Sequence, residues 1–209
     1  MRILLLISLF LFSPEVGDDP SGAWELVNKD EGISVFTRLS EDNPIKAVRI
    51  EMNLFAEMET LDSVLNDVPG YLNWVYKCEL AKRLETVSEN EFYYYTESDF
   101  PFPISDRDLV VHSVQKITEQ GKHVQSVSRS APAKFPIQKG IIRINEFESS
   151  WDIRDLNNGT LQIQYEAQTD PGGYLPAWVV NLGVGVAPMK TMKALREVLG
   201  QQAPGLSPG

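Results

Sequence analysis

Residues 141–169 read IIRINEFESSWDIRDLNNGTLQIQYEAQT, and the hairpin that they predict determines how the rest of the chain is interpreted. Residues 141–156 and 160–169 are each rich in strand-forming residues, and Asn157-Asn158-Gly159 separates the two segments. An Asn-Gly pair between two strand-like segments is a strong signal for a tight β-hairpin turn. The stretch therefore predicts two antiparallel strands.

Two further hairpins precede this one, and each has its own turn. Glu89-Asn90 connects the first pair of strands, and Glu119-Gln120-Gly121 connects the second. Three successive hairpins indicate an antiparallel meander rather than parallel βαβ units. The predicted strand pairs are residues 80–87 with 92–98 and residues 109–117 with 123–130.

The hydrophobic period changes twice outside the meander. Residues 33–38 and 46–54 alternate apolar and polar, which predicts strands, and residues 57–67 have helical spacing up to Pro69-Gly70. Residues 175–199 carry an apolar stripe at steps of three and four, which predicts one long helix. The fold class is therefore α+β: a long helix on one face of a curved antiparallel sheet. One helix cannot fill the concave side of so many strands, so an internal cavity is expected.

Composition excludes several classes of function. The chain has 209 residues and a net charge of −10, which argues against nucleic-acid binding and against polybasic docking on anionic membranes. Its single cysteine, Cys78, excludes an intramolecular disulfide, and two histidines make a histidine-rich metal centre improbable. We therefore predict no metal, no cofactor and no nucleic-acid partner.

The two ends of the chain differ from its body. Arg2 precedes about ten apolar residues and a polar segment, so residues 1–17 are predicted to be a signal peptide that exports the protein to the periplasm or the medium. A cleavage site is available only near Ser13 or Gly17, and a buried strand or a short uncleaved anchor is the alternative. Residues 18–200 form the predicted domain, and residues 201–209 a disordered tail.

Five motifs in the body of the chain resemble the START family, the helix-grip lipid-transfer domains related to the steroidogenic acute regulatory protein. The resemblance runs from Trp24 to Leu199 and suggests an exported, single-domain member of bacterial type. It implies one hydrophobic ligand, usually a lipid, between the sheet and the C-terminal helix, carried or sensed without covalent chemistry by a monomer. The motifs are DEGISV (30–35), YLNW (71–74), FPISDRDLV (102–110), KGIIR (139–143) and DPGGYLPAWVVN (170–181).

Strand and helix periodicity selects candidate residues for the cavity wall, with plain core packing as the alternative for each. In several sterol-binding relatives a buried arginine and its acidic partner align with Ser113 and Thr96. Both positions are neutral here, so sterol specificity is not implied, and acyl chains or a weakly polar lipid suit the wall better. The candidates are Tyr94, Thr96, Leu109, Val111, Ser113, Ile163, Tyr165, Val179, Leu182, Val186 and Met189.

The loop at residues 100–104 lies where relatives have a lid over the cavity. Phe100, Phe102 and Ile104 are predicted to form a lid with apolar tips that opens on transient contact with a membrane; a rigid proline-rich turn is the alternative. An Arg107-Asp108 pair and Asp170 are expected to be structural.

Two other functions compete with lipid binding. A cyclase or hydrolase on the same architecture would need an acid or base inside the cavity, for which Glu97, Asp99 and Glu166 are the carboxylates of uncertain orientation. His112 is predicted to face outward, and His123 opens a strand beside a turn. A partner-binding protein with a filled core is the other alternative. We favour the non-catalytic lipid-binding function and predict no catalytic residue, and the sequence does not specify the ligand.

Overall fold

A computed structural model of the protein describes residues 22–40 and 43–200. The predicted signal peptide and C-terminal tail lie outside these residues and stay predictions. No helix within the described ranges is long and apolar enough to cross a bilayer.

The order of the elements follows the predicted pattern of three strands, a helix, a run of strands and C-terminal helices. The first strands are β1 (Glu25–Asp30), β2 (Ile33–Ser40) and β3 (Asn43–Phe55). The helices are α1 (Met58–Asn66), α2 (Ala177–Gly183) and α3 (Val186–Val198), and a 3₁₀ helix covers Val68–Asn73. The later strands are β4 (Cys78–Ser88), β5 (Glu91–Ser98), β6 (Arg107–Thr118), β7 (His123–Ser130), β8 (Ile142–Ile144), β9 (Glu146–Asp155) and β10 (Thr160–Asp170).

The strands form one ten-stranded sheet, in which nine strands follow the order β1-β2-β3-β10-β9-β7-β6-β5-β4 and β8 pairs with β6 outside this order. The predicted α+β architecture is confirmed. All three hairpins have the predicted antiparallel pairing, with Leu161 opposite Asp155 in the last one. Turn chemistry is local, which explains why the sequence identifies these pairs correctly.

Residues 141–156 do not form the single strand that the sequence predicts. The segment divides at Asn145 into β8 and β9, and β8 pairs in parallel with β6, with Arg143 opposite Asp108. The Arg143 guanidinium donates to both carboxylate oxygens of Asp108, over 2.7 and 2.9 Å. This long-range ion pair holds β8 beside β6 and separates it from the hairpin.

The predicted long helix at residues 175–199 is two helices. Val184 and Gly185 separate α2 from α3, and Gly183 ends α2. Glycine is a poor helix former because it loses the most backbone freedom on ordering, so two glycines around Val184 weaken the helix there.

The main core lies where α1 and α3 cover the inner face of β2, β3 and β10. Met192 and Leu195 of α3 and Leu61 of α1 are buried there among branched side chains of the sheet. Residues from β1, β2 and β3 line no part of the cavity described next. The cavity therefore lies on the part of the sheet away from β1, β2 and β3.

Candidate functional site

A cavity of about 300 Å³ lies between the sheet and the helices. Its wall consists of residues from β5, β6, β7, β9 and β10 on the sheet side, and from α1, the 3₁₀ helix with the turn after it, and the first turns of α3 on the other. The volume is at the lower end of the range of ligand pockets and equals the space of about ten water molecules.

The wall of the cavity is neutral and aromatic. None of its 25 residues is Asp, Glu, Lys, Arg or His. A charge placed in such an environment loses its hydration without gaining a partner, so the wall favours an uncharged occupant. Its aromatic members are Tyr71, Trp74, Tyr76, Phe92, Tyr94, Phe147, Trp151 and Tyr165.

Three serines form a row of small polar side chains across the wall. Ser113 on β6 lies opposite Ser128 on β7, and Ser128 lies opposite Ser149 on β9. The Ser128 hydroxyl donates to the Ser113 hydroxyl over 3.1 Å. We call these three residues the serine row. Their small side chains leave space above the sheet, and their hydroxyls can form hydrogen bonds without carrying charge.

Two tyrosines extend this neutral polar surface. Burial raises the pKa of Tyr94 well above its usual value. A hydrogen bond with Ser128 lowers this pKa, but burial is the larger effect. Burial likewise raises the pKa of Tyr165 to about 12, and a hydrogen bond with Ser149 opposes the shift. Both phenols therefore stay protonated at physiological pH, and the polar part of the wall, which consists of hydroxyls together with the amides of Asn66 and Gln115 and the indole N–H groups, carries no charge.

Five of the predicted wall residues line the cavity: Tyr94, Thr96, Leu109, Ser113 and Tyr165. Val111, Ile163 and Met189 are buried but do not line it, and Ile163 and Met189 belong to the main core. The core-packing alternative describes these three residues better.

The predicted contribution of α2 to the wall differs from the structure. On α2, Leu182 is 74% exposed and Val179 is half-buried; Val186, the first residue of α3, is also exposed, and none of the three lines the cavity. Asn181 explains this orientation, because its side chain accepts from the Lys46 backbone N–H and donates to the Pro44 carbonyl, both over 2.9 Å. These bonds attach α2 to the start of β3 and leave its apolar stripe facing solvent.

Several wall residues were missed by the sequence analysis. Ser128 lies directly opposite Ser113, and Ser149 directly opposite Ser128, so the three side chains share one face of the sheet. Strand alternation on β7 and β9 could therefore have identified Ser128 and Ser149. Trp74 follows a 3₁₀ helix in irregular backbone, where no periodic signal exists.

The loop predicted to be a lid is only partly exposed. Phe102 is 97% exposed, whereas Phe100 and Ile104 are half-buried. The Arg107 guanidinium lies 4.7 Å above the Phe100 ring, and the Phe100 N–H donates to the Asp106 carboxylate over 3.0 Å. The expectation of two exposed aromatic tips is therefore wrong for Phe100, whose ring packs on Arg107.

Arg107 and Asp108 do not pair with each other. Arg107 donates to the carbonyls of Ser105, Pro171 and Gly172, and burial lowers the pKa of its guanidinium. It thereby connects the 100–104 loop to the segment that enters α2. The Asp170 carboxylate shapes that segment by accepting from the Gly172 N–H over 2.8 Å, and Gly172 and Gly173 both have positive φ.

The titratable residues considered for an enzyme are engaged away from the cavity wall. Glu97 accepts from the Tyr95 hydroxyl, Asp99 pairs with Lys77, and Glu166 pairs with Arg49. His112 and His123 contact Glu91 and Asp152, over 2.8 and 3.1 Å. In the part of the chain that the structure describes, no group of three or more His, Cys, Asp or Glu side chains could hold a metal ion.

Proteins with similar sequences include an uncharacterized bacterial protein and a mammalian phosphatidylcholine transfer protein. The chain is 28% identical to an uncharacterized protein of Pseudomonas aeruginosa over 173 residues, which cover 83% of this chain and 85% of that protein. It is 29% identical to the phosphatidylcholine transfer protein of Bos taurus over 168 residues, with 76% of each chain covered.

Solved structures give the same result at the level of the fold. The STAR-related lipid transfer protein of Xanthomonas axonopodis matches with a TM-score of 0.79 and 29% identity, over 85% of this chain and 99% of that one. Human STARD10 matches with a TM-score of 0.75 at 23% identity, over 84% of this chain and 72% of that one. These neighbours confirm the helix-grip fold.

The START domain family model matches residues 19–205, which is nearly the whole chain. The five motifs, the curved sheet with C-terminal helices and the family match agree, and the protein is a member of the START domain family.

Proposed function

We propose that this protein binds one hydrophobic lipid in its internal cavity and carries or senses it without covalent chemistry. The observation that carries the proposal is the neutral, aromatic wall around about 300 Å³ inside a START fold. The names of the bovine and Xanthomonas relatives, both lipid-transfer proteins, support it. No carboxylate or imidazole belongs to the described wall, so no observation favours the cyclase or hydrolase alternative.

The proposal includes transient contact with a membrane through one apolar surface. Trp178 and Leu182 are one helical turn apart on α2 and are 68% and 74% exposed, and Tyr174 is fully exposed just before α2. Arg107 connects the loop that bears Phe102 to the segment before Tyr174. We call Phe102, Tyr174, Trp178 and Leu182 the docking face. Exposed apolar patches mark interaction sites, and tyrosine and tryptophan suit the interface of a bilayer.

Native mass spectrometry of protein purified from its own host, followed by lipid extraction, tests the binding function. We expect a single hydrophobic molecule bound per chain. Ala187→Trp places a bulky side chain in the wall from an exposed position and should lower the amount of bound lipid. Glu197→Trp, on an exposed position of α3 outside the wall, should not. Repeated recovery of empty protein that also fails to take up lipid in displacement assays would refute the proposal.

The proposed setting is outside the cytoplasm, on the basis of the apolar segment near the N-terminus. N-terminal sequencing of the protein recovered from the periplasm or the medium tests this, and we expect a chain that starts near residue 18. The proposed monomeric state can be measured on the same sample by light scattering.

A further inference from the structure

We propose that Trp74 donates a hydrogen bond to an oxygen of the bound lipid, and that the cavity selects uncharged lipids that carry an ester or keto oxygen. This inference rests on the proposed lipid-binding function and names the chemistry of the ligand. It assigns a specific role to a residue that strand and helix periodicity does not detect.

The indole N–H of Trp74 is buried without a partner. The side chain is 6% exposed, and Nε1 has no hydrogen-bond partner among the described residues. Buried tryptophan N–H groups usually have an acceptor, because a buried donor without one loses its hydrogen bonds to water and gains no replacement. Four buried side-chain atoms in the described part of the chain lack a partner, and of their residues only Trp74 lines the cavity.

The surroundings of Trp74 hold the indole in place. Its backbone N–H donates to the Tyr71 carbonyl over 3.2 Å, and the Tyr71 ring packs edge-to-face on the indole with a centroid distance of 5.2 Å. The Tyr71 hydroxyl donates to the Leu65 carbonyl over 2.7 Å, so its proton is already committed elsewhere. The indole N–H is a donor only, so the group that satisfies it is an acceptor; no described protein group supplies one, and the inference assigns it to the ligand.

The charge of that acceptor follows from the rest of the wall. Arg83 lies behind the wall, where it donates to the Asn66 carbonyl and stacks 3.8 Å from the centre of the Phe92 ring. Asp62 also lies outside the wall and accepts from the Gln115 side chain. A carboxylate or phosphodiester in the cavity would meet hydroxyls, amides and indoles but no cation of the wall, which is unfavourable for a buried charge. An ester or keto oxygen accepts from the indole without this cost.

The test compares three small lipids of similar length that differ in one property each. Methyl decanoate has an uncharged acceptor, the decanoate anion has a charged one, and dodecane has none. Each probe is added to phosphatidylcholine vesicles at pH 8, the full chain is incubated with them and re-isolated, and the extracted probe is quantified by mass spectrometry. We expect methyl decanoate to bind at least about tenfold better than the decanoate anion.

The Trp74→Phe variant removes the donor and keeps an aromatic ring. It should weaken binding of methyl decanoate about 2- to 12-fold, the range for one neutral hydrogen bond, and leave dodecane binding unchanged relative to a control. Phe147→Leu is that control, because it alters the wall without removing a donor and should affect both probes equally.

Two results would overturn the inference. The first is equal loss of methyl decanoate and dodecane in Trp74→Phe, which would mean that Trp74 only packs. The second is preferential recovery of decanoate or of the vesicle phosphatidylcholine, which would mean that the cavity accepts charge and recruits a cation such as Arg83. Failure of the unmodified protein to bind any of these lipids would instead refute the proposed function itself.

Discussion

Asp108 and Arg107 are neighbours in sequence, but they stabilise opposite sides of the sheet. Strand alternation directs adjacent side chains to opposite faces, and Leu109 on the Arg107 side lines the cavity. Asp108 is buried on the other side, where the Arg143 guanidinium donates to it and the Tyr95 hydroxyl oxygen lies 3.1 Å away. Arg143 also donates to the carbonyls of Pro132 and Phe135, so one ion pair fixes both β8 and the long segment before it.

We predict that Asp108→Ala lowers the free energy of unfolding by about 3–5 kcal/mol, because it leaves the buried Arg143 guanidinium without its counter-charge. Arginine keeps its proton at physiological pH even without a carboxylate partner, so Arg143 stays charged in the variant and does not escape the cost by losing a proton. Urea denaturation followed by circular dichroism measures the change.

Arg129→Ala is the matched control for this prediction. Arg129 and Glu148 form an ion pair of 2.8 Å, and their side chains are 65% and 59% exposed. Exposed pairs of this kind contribute about 0–1 kcal/mol. A loss in Asp108→Ala no larger than in Arg129→Ala would show that the buried pair does not stabilise the fold in the way proposed.

At the scale of elements, α2 shows what periodicity can and cannot establish. The apolar stripe correctly predicts helical structure between residues 175 and 199, apart from the break at Val184 and Gly185. A stripe does not reveal what it faces, however, and α2 has no buried residue. Its orientation depends on the hydrogen bonds of Asn181 to the start of β3. Lys46, one of the partners of Asn181, is 135 residues away from it in sequence.

The residues of the cavity wall also divide into those that periodicity can predict and those that it cannot. Residues on β5 and β6, such as Thr96 and Ser113, could be predicted because alternation within a correctly identified strand fixes their face. Trp74 could not, because it lies in irregular backbone after a 3₁₀ helix. Its importance depends on an unpaired N–H, and only three-dimensional contacts reveal that property.

We predict that the double substitution Trp178→Ser and Leu182→Ser weakens binding to phosphatidylcholine vesicles at least about tenfold. Burying one such side chain contributes roughly 1.5–3 kcal/mol, and each tenfold change in binding corresponds to about 1.4 kcal/mol. The free energy of unfolding should change by less than about 0.5 kcal/mol per substitution, because both side chains are mainly exposed. Vesicle co-sedimentation and urea denaturation provide the two measurements.

Phe55→Ser is the control for the docking face, since Phe55 is 64% exposed at the end of β3 and outside that surface. It should leave vesicle binding unchanged. Equal binding by the double variant and the unmodified protein would exclude α2 from the membrane contact, even if the cavity binds lipid as proposed.

At the scale of the whole molecule, local signals predicted most of the topology. Each hairpin carries its own turn, and each of these strand pairs forms as expected. The parallel pairing of β8 with β6 joins segments about 35 residues apart, and a buried ion pair holds it. Such a pairing has no local sequence signal, because the two charged residues look like ordinary surface residues until the fold brings them together.

Net charge gives a last prediction, which concerns the whole surface. The chain carries −10, and the charge is the same without residues 1–17, because Arg2 and Glu15 cancel. If the docking face binds membranes through apolar contacts, anionic lipid should repel the rest of the molecule. Binding to vesicles with about one third anionic lipid should therefore be weaker than to phosphatidylcholine vesicles and should increase with salt, since the Debye length falls from about 10 Å at 0.1 M to about 3 Å at 1 M.

Co-sedimentation across a salt series measures this dependence, with phosphatidylcholine vesicles as the control that should respond little. A docking mode based on basic side chains has the opposite sign, because salt would then weaken binding to anionic vesicles. The Trp178→Ser and Leu182→Ser variant separates the two contributions further, since it carries the same charge as the unmodified protein. Its binding should be lower at every salt concentration, because the attraction comes from the docking face. The direction of the salt dependence on anionic vesicles should stay the same, because the repulsion comes from the charge of the whole surface.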